Sequence, residues 1–275
     1  PLNQRCSITL NYSYFLSSAI YRWIETSSPE YARFLHDEGF HPDGSLKRFK
    51  HFCFSQLMVP NRRIADGKLH ILSPTVDWYI GMPVEQSLQH LVVGMFEKRE
   101  FYIGREDQPA SGLAGNRFVV EQVETLPEPK WDRRMTFRML WPVTVSTMHE
   151  RNARLPGGHG RLLPEYLLAN DPRLNDLLRQ NILNKYRSLY GSSGEGFLQQ
   201  RSTMEEGNLQ RDDTSFRCIP NEKFITSRGG PEKITKLITI KQGREDETKV
   251  RGFMCPLTIE GNPALIALAY ESGLG

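Results

Sequence analysis

The sequence predicts an α+β fold of two tandem ferredoxin-like domains, each with βαββαβ order and an antiparallel sheet covered by two helices on one face. Strand and helix patterns follow this order in the first half of the chain, and the order recurs in the second half. The segment Pro127-Glu128-Pro129 interrupts both patterns and is interpreted as the linker. The predicted domains are residues 1–126 and 131–275, the second ending in a glycine-rich loop. The repeat is one of pattern only, because the halves share negligible sequence identity.

The first half begins with an alternating, β-branched strand at Arg5–Leu10. From Ser13 onward, apolar residues repeat at three- and four-residue steps, which predicts an amphipathic helix. Ser28-Pro29 is a helix start, and the short helix that follows is expected to end at Gly39. The remaining elements are predicted at Lys50–Leu57, Arg63–Leu72 (a hairpin around Asp66-Gly67), Thr75–Ile80, Val84–Phe96 (a helix), Phe101–Ile103 and Phe118–Val123.

The second half contains one long helix, Asp171–Tyr190, which Asp171-Pro172 begins and Gly191 ends. A last helix begins at Asn262-Pro263 and ends at Gly273. The strands of this half are predicted at Met135–Val145 (broken by Trp141-Pro142), Phe216–Ile219, Ile234–Ile240 and Lys249–Ile259, the last two forming a hairpin around a charged turn.

Composition limits the classes of partner. The 275 residues are 39% hydrophobic and contain no apolar run of about 18 to 20 residues, so no membrane partner is predicted. The formal charge of +3 permits a nucleic-acid partner but does not require one, because a solvated surface explains it equally. The four cysteines form no CxxC pair, which favours buried free thiols in a reducing cytoplasm.

Tyr21 and His36 are the first two candidate site residues. Tyr21 lies on the polar margin of the first helix, where a packed tyrosine with a wetted hydroxyl is the alternative interpretation. His36 lies in the last turn of the short helix, beside Asp37 and Glu38. The negative helix end and both carboxylates favour the protonated imidazole, which is a competent general acid. A surface histidine that complements the helix dipole is the alternative.

Lys50 completes the set, at the entry to the second strand and close to Lys47 and Arg48. A fixed ammonium there suits charge that builds on a phosphate in a transition state, whereas a solvated basic loop is the alternative. Tyrosine, histidine and lysine are together sufficient to cut RNA without a metal ion. No metal site is predicted, because His36, His41 and His51 match no common zinc spacing.

Further basic and glycine residues are candidate RNA contacts in the second half. Arg228, Lys241 and Arg251 belong to a basic series along the predicted hairpin, for which a mixed-charge solvated surface is the alternative. Gly273 and Gly275 let a backbone approach a phosphate, although an ordinary helix stop also explains Gly273. The glycine-rich segment 157–160 is interpreted as a flexible loop.

Four segments carry a resemblance to a known family. They are AIYRWI around Tyr21, FLHDEG around His36, KHFCFS from Lys50, and the C-terminal RGFMCPLTIEGNPALIALAYESGLG. With them the chain resembles, over nearly its whole length, the CRISPR-associated repeat-RNA endoribonuclease family, Cas-six, of the RAMP superfamily. The resemblance implies a prokaryotic, cytoplasmic enzyme that cleaves precursor CRISPR RNA within its repeats, with neither metal nor cofactor.

The resemblance also implies roles for individual residues. Tyr21 and His36 fall on the family's catalytic tyrosine and histidine, Lys50 falls where many members have a lysine, and Lys47 is a nearby substitute. A 2′-hydroxyl attacks its own phosphate and the 5′-oxygen leaves, which gives a 2′,3′-cyclic phosphate and a 5′-hydroxyl. His36 is expected to protonate the leaving oxygen, Tyr21 to position or deprotonate the nucleophile, and Lys50 to stabilise the phosphorane. The roles of Tyr21 and His36 are open to exchange.

One departure from the family pattern concerns the glycine-rich loop, which is expected to be truncated at Gly275. A truncated form, a missing end and a fusion all explain it. The alternative function is a non-catalytic RNA-binding RAMP subunit that holds guide RNA in an effector complex. The predicted partner is CRISPR repeat RNA. Effector-complex subunits and an adaptation module, fused or bound, are left open as further partners.

Overall fold

A computed structural model describes residues 6–42, 44–104, 117–149, 163–191, 215–240 and 245–274. The helices are α1 (Ser13–Ser27), α2 (Pro29–Arg33), α3 (Glu85–Glu97), α4 (Leu174–Tyr190), α5 (Glu222–Ser227) and α6 (Pro263–Ser272), with a π-helical turn at Phe34–Glu38 and a 3-10 turn at Pro231–Ile234. The strands are β1 (Cys6–Thr9), β2 (Cys53–Phe54), β3 (Arg62–Ala65), β4 (Lys68–Ile71), β5 (Ile80–Gly81), β6 (Glu100–Tyr102), β7 (Arg117–Val119), β8 (Arg134–Phe137), β9 (Ser146–His149), β10 (Leu163–Tyr166), β11 (Arg217–Pro220), β12 (Thr235–Ile240), β13 (Thr248–Phe253) and β14 (Leu257–Glu260).

In the first half, α1 and α3 pack closely against each other beside small antiparallel sheets, β1-β4-β3, β2-β5 and β6-β7. The β3–β4 hairpin turns at Asp66 and Gly67, whose φ angles of 52° and 68° confirm the predicted two-residue turn. The close helix packing depends on Gly94, because a Cβ there would lie 1.8 Å from the carbonyl oxygen of Trp23. This packing fixes the orientation of α1 and therefore of the residues on its outer margin.

In the second half, an antiparallel sheet of order β11-β14-β8 packs against α4 and α6, and β12 pairs with β13 as the predicted hairpin. Two residues of this half, Leu189 from α4 and Leu268 from α6, are buried in the core of the first half. The two halves therefore share a packed junction. No helix in the described ranges is long and apolar enough to cross a membrane. The cysteines Cys6, Cys53, Cys218 and Cys255 are free, as the sequence predicts.

The fold class is confirmed, since the mixed helices and small antiparallel sheets agree with two ferredoxin-like domains. Five predicted strands are too long. Thr75–Ile80 reduces to β5, Phe118–Val123 ends at Val119 with β7, and Met135–Val145 ends at Phe137 with β8. Lys50–Leu57 reduces to β2, because His51 has a φ of 48° and leaves the extended conformation. Lys249–Ile259 divides into β13 and β14 before and after Pro256, which has no N–H to give to a strand ladder. The domain boundaries stay a prediction.

Candidate active site

Tyr21 is placed by the apolar face of α1. Leu16, Ile20 and Ile24 are fully buried, so the helix is fixed and Tyr21 lies half-buried at the edge of that face. Its ring centroid is 5.7 Å from that of Phe52, in an edge-to-face arrangement. Burial raises the pKa of Tyr21 to about 12, so its hydroxyl keeps its proton at neutral pH.

His36 is placed by α2 and the π-helical turn that continues it. The Ser28 hydroxyl accepts from the Tyr31 N–H at 3.3 Å and begins α2, and Leu35 is fully buried, which leaves its neighbour His36 on the outer side. The His36 side chain is 72% exposed. Its ring lies edge-to-face against the ring of Tyr21, with centroids 5.7 Å apart. Residues that are fifteen positions apart in the sequence thus form one surface pair.

Asp37 also contacts the His36 ring. The Asp37 carboxylate oxygen Oδ1 lies 2.7 Å from His36 Nδ1. The hydrogen bond with His36 lowers the pKa of Asp37, so the carboxylate is ionised near neutral pH. An imidazole held at Nδ1 presents Nε2, which is the atom that can exchange a proton with a ligand.

Lys50 lies underneath the turn that carries His36. Its ammonium donates to the backbone oxygen of His36 at 2.6 Å and also to that of Leu35. The Arg48 guanidinium donates to the next carbonyl, that of Asp37. Burial lowers the pKa of Lys50, the charge on Arg48 lowers it further, and Asp37 opposes both effects. The sequence-predicted trio Tyr21, His36 and Lys50 is therefore one connected group.

The predicted RNA contacts are less concentrated. Lys47 is exposed, and its backbone N–H donates to Ser45 Oγ at 3.1 Å. The Arg228 guanidinium lies 5.2 Å from the ring centroid of Phe224, and Arg251 is 3.8 Å from a carboxylate oxygen of Glu232. No described contact joins Arg228 or Arg251 to the trio. Lys241, Gly275 and the segment 157–160 lie outside the described residues.

The β12–β13 hairpin carries basic residues on both faces. Lys249 and Arg251 lie two residues apart and share a face with Leu237 and Thr239, their cross-strand partners. Lys236 is opposite Gly252 and therefore lies on the other face. The exposed face is thus partly basic and partly apolar. Within the described residues, His, Cys, Asp and Glu side chains form no group of three arranged as metal ligands.

Gly273 belongs to the junction between the halves. It ends α6 with a φ of 77°, and a Cβ there would lie 3.1 Å from Cys53 Cβ. Lys185, which is 5% exposed, donates to the Gly273 carbonyl at 2.6 Å and to the Ser272 carbonyl at 3.0 Å. The predicted backbone approach at Gly273 therefore occurs toward the protein's own first half.

His51 lies in the same junction, and the sequence interpretation assigned no role to it or to Lys185. His51 is 2% exposed, and its Nε2 is 2.8 Å from Ser188 Oγ. Burial, followed by the charge of Lys185, lowers the pKa of His51 to about 3. A sequence signal for Lys185 existed: it occupies a helical position on the stripe of buried Leu178, Ile182 and Leu189. A lysine on such a stripe indicates a buried partner.

The paired α+β halves place the chain among two-domain ferredoxin-like proteins. A family profile described as "CRISPR-associated protein Cas6, N-terminal" matches residues 7–112, and one described as "CRISPR associated protein Cas6, C-terminal" matches residues 126–275. The second match alone covers more than half of the chain. The chain belongs to the Cas6 family, the Cas-six family that its motifs resemble.

Two curated relatives match over part of their length. A protein of Methanocaldococcus jannaschii named "CRISPR-associated endoribonuclease Cas6 1" is 26% identical over 183 residues, 66% of this chain and 61% of that protein. A Pyrococcus furiosus protein named "CRISPR-associated endoribonuclease Cas6" is 26% identical over 144 residues, 52% of this chain and 48% of its own length. The chain thus spans about half to three fifths of the relatives it matches.

Solved structures support the fold over the full chain. A structure described as "Characterization of a Cas6-related gene from Pyrococcus furiosus" has a TM-score of 0.69 and 22% identity, covering 100% of this chain and 89% of that one. Another, described as "An RAMP protein binding different RNA substrates", has a TM-score of 0.66 and 20% identity, covering 100% and 90%. At these identities the likeness establishes the architecture.

Proposed function

We propose that this protein is an endoribonuclease that cleaves precursor CRISPR RNA within its repeats, without a metal ion. The observation that carries the proposal is the edge-to-face pair of half-buried Tyr21 and exposed His36, with the Lys50 ammonium bound to the backbone oxygen of His36. Membership of the Cas6 family and the names of the two curated relatives support the substrate class. The proposed partner is CRISPR repeat RNA. Effector-complex subunits and an adaptation module are further partners that an affinity experiment with each can test.

The reaction is a transesterification within the RNA. The 2′-oxygen upstream of the cut attacks its phosphorus, the bond from phosphorus to the 5′-oxygen breaks, and the products carry a 2′,3′-cyclic phosphate and a 5′-hydroxyl. One proton leaves the 2′-hydroxyl and one joins the 5′-oxygen. We assign the second transfer to His36, because its side chain is exposed and the Asp37 carboxylate contacts Nδ1, which leaves Nε2 to reach the leaving oxygen.

Tyr21 keeps its proton in this proposal. Because burial raises its pKa to about 12, its hydroxyl is a hydrogen-bond donor at neutral pH and a poor base. It orients the 2′-hydroxyl or a phosphate oxygen, and the nucleophile's proton passes to solvent. The basic residues Lys47, Arg48, Arg228, Lys241 and Arg251, with Gly275, are proposed contacts to the RNA backbone. Gly273 is left out of this set, because Lys185 binds its carbonyl in the junction between the halves.

The test is incubation of the protein with its own repeat RNA in excess EDTA, with product ends analysed by mass spectrometry. We expect one cleavage position, with a cyclic phosphate upstream of the cut and a 5′-hydroxyl downstream. The control is His36→Ala, whose single-turnover rate at saturating protein should fall by about 10² to 10⁴, the usual worth of a general acid. Because His36 is exposed, the variant should fold normally.

Two other outcomes have clear meanings. Tight binding of the repeat RNA without any cleavage would favour the non-catalytic RAMP subunit that holds guide RNA. Cleavage by His36→Ala at the rate of the unaltered protein would remove His36 from the mechanism. Cleavage that EDTA abolishes would overturn the metal-independent reaction.

A further inference from the structure

The turn that carries His36 ends with three consecutive backbone carbonyls that need donors from outside the helix. In the π-helical turn Phe34–Glu38, the Gly39 N–H donates to the Phe34 carbonyl at 2.8 Å, which closes the turn. The carbonyls of Leu35, His36 and Asp37 then follow one another at a helix end. Carbonyls at that position have no donor from the next helical turn and need one from elsewhere.

The segment 48–50 supplies these donors. Lys50 Nζ binds the carbonyls of Leu35 and His36, and the Arg48 guanidinium binds that of Asp37. We refer to Lys50 and Arg48 together as the carbonyl clamp. Three consecutive backbone oxygens around His36 are thus held by two cations from one short stretch of chain.

The clamp is fixed to the turn by the backbone itself. Phe40 and Phe49 exchange two hydrogen bonds, of 2.9 Å and 2.7 Å, which bring the segment before Lys50 alongside the turn. Gly39, with a φ of 66°, makes the approach possible, because a Cβ there would lie 2.8 Å from the Phe49 oxygen and 3.2 Å from Lys50 Nζ. A side chain at position 39 would push the ammonium away.

This geometry limits what Lys50 has left to offer a substrate. An ammonium has three N–H donors, and two of those of Lys50 point to backbone carbonyls. The side chain is half-buried and lies under the turn, whereas the His36 side chain is 72% exposed above it. The charge therefore acts on the backbone that supports the imidazole.

We propose that Lys50 is a positioning residue, which with Arg48 holds the π-helical turn so that the His36 ring stays against Tyr21, and that it does not itself bind the scissile phosphate. This inference rests on the proposed function and changes the role expected for Lys50 from the sequence. A displaced general acid is costly, because an error of about 1 Å in position lowers a rate by about a hundredfold.

The first experiment needs no RNA. The imidazole Cε1–H signal of His36 is observed by NMR at one fixed pH in the RNA-free protein, and Lys50→Met is compared with Lys47→Met. We expect Lys50→Met to move the signal and to weaken its nuclear Overhauser contact with the Tyr21 ring, while Lys47→Met, which removes a nearby charge without touching the carbonyls, leaves both in place. An unchanged His36 signal in Lys50→Met would overturn the proposal.

The second experiment separates positioning from phosphate stabilisation. In a repeat RNA with sulfur in place of the 5′-bridging oxygen at the cut, the leaving group is a thiolate. A thiolate leaves without being protonated. Lys50→Met should cut normal RNA about 10- to 100-fold more slowly than the unaltered protein, but cut the sulfur-substituted RNA within about threefold of it. Slow cutting of both RNAs would assign Lys50 to the phosphate and overturn the proposal.

Two controls keep the outcomes distinct. The cleavage rate of His36→Ala must also return close to that of the unaltered protein when the RNA carries the sulfur substitution. This result identifies His36 as the proton donor. In the RNA-free protein, Arg48→Met removes the contact to the Asp37 carbonyl and keeps both contacts of Lys50. It should move the His36 signal in the same direction by less, and it supplies a second variant if Lys50→Met does not fold. If the unaltered protein cuts neither RNA, the proposed function fails while the NMR comparison still decides the role of Lys50.

Discussion

Within the described part of the chain, Lys50 near the surface and Lys185 in the interior each bind the carbonyl end of a helix. Lys50 donates to the Leu35 and His36 carbonyls at the π-helical turn, and Lys185 donates to the Ser272 and Gly273 carbonyls at the end of α6. A helix end leaves several carbonyls without donors and concentrates negative potential, so an ammonium suits both places.

Burial makes the two lysines different. Lys50 is half-buried, whereas Lys185 is 5% exposed, and burial lowers the pKa of Lys185 to about 8. Each lysine also has a histidine near it: His36 is exposed, while His51 is enclosed and its pKa is lowered to about 3. The same contact therefore supports an imidazole that can exchange protons at the surface and helps to keep another one neutral in the junction. Under the proposed function, the exposed contact serves the chemistry and the enclosed one serves stability.

The largest expected effect on stability is that of Lys185→Met. The change leaves the carbonyls of Ser272 and Gly273 without their hydrogen-bond donor, which lowers stability. Burying the ammonium also costs free energy, and removing this cost offsets only part of the loss. We expect the free energy of unfolding to fall by about 2 to 3 kcal/mol, measured by urea denaturation at pH 7.

Lys50→Met is the matched control for Lys185→Met. Because the contact to the His36 carbonyl is exposed, water replaces the ammonium there, and the free energy of unfolding should fall by about 1 kcal/mol, less than in Lys185→Met. Equal losses in the two variants would contradict the distinction between the surface lysine and the buried one.

Local features of the site could be predicted from the sequence, and its long-range contacts could not. Tyr21 at the margin of a helical stripe and His36 before Gly39 follow from spacing and a helix stop. In the π-helical turn the backbone hydrogen bond joins residues five positions apart, one more than in an α-helix. No residue preference in the sequence indicates this change. The Lys185 contact spans 88 residues and depends on how the two halves dock. The packing of one half against the other determines such contacts. The periodicity of apolar residues in the sequence does not indicate how the halves pack.

His51 gives the junction a dependence on pH. The pKa of His51 is about 3 in the folded protein and about 6.5 in the unfolded chain. Between these two pH values His51 is protonated in the unfolded chain and neutral in the folded protein. The stability that neutral His51 contributes is therefore complete above about pH 6.5 and is lost as the pH falls toward 3. The positive charge of Lys185 acts in the same direction. From pH 7 to pH 5 we expect His51 to account for a loss of about 2 kcal/mol in unfolding free energy.

The measurement is urea denaturation at pH 7 and pH 5 for the unaltered protein and for His51→Asn. Asparagine tolerates the φ of 48° and keeps a polar group near Ser188, but it does not titrate. The loss between the two pH values should be smaller in His51→Asn by about 2 kcal/mol. An identical loss would show that His51 does not titrate differently in the folded and unfolded states.

Tyr21→Phe tests the surface half of the comparison and has a smaller expected effect than His51→Asn or Lys185→Met. The ring contacts with His36 and Phe52 persist in this variant, and only the hydroxyl is removed. We expect the single-turnover rate of repeat-RNA cleavage to fall about tenfold, equal to about 1.4 kcal/mol, because a neutral donor that orients the substrate is lost. With a pKa of about 12, Tyr21 does not ionise between pH 7 and pH 10, so the ratio of the two rates should stay constant over that range. A fall of about 10²- to 10⁴-fold, the usual worth of a general base, would instead identify Tyr21 as the group that removes the proton of the nucleophile.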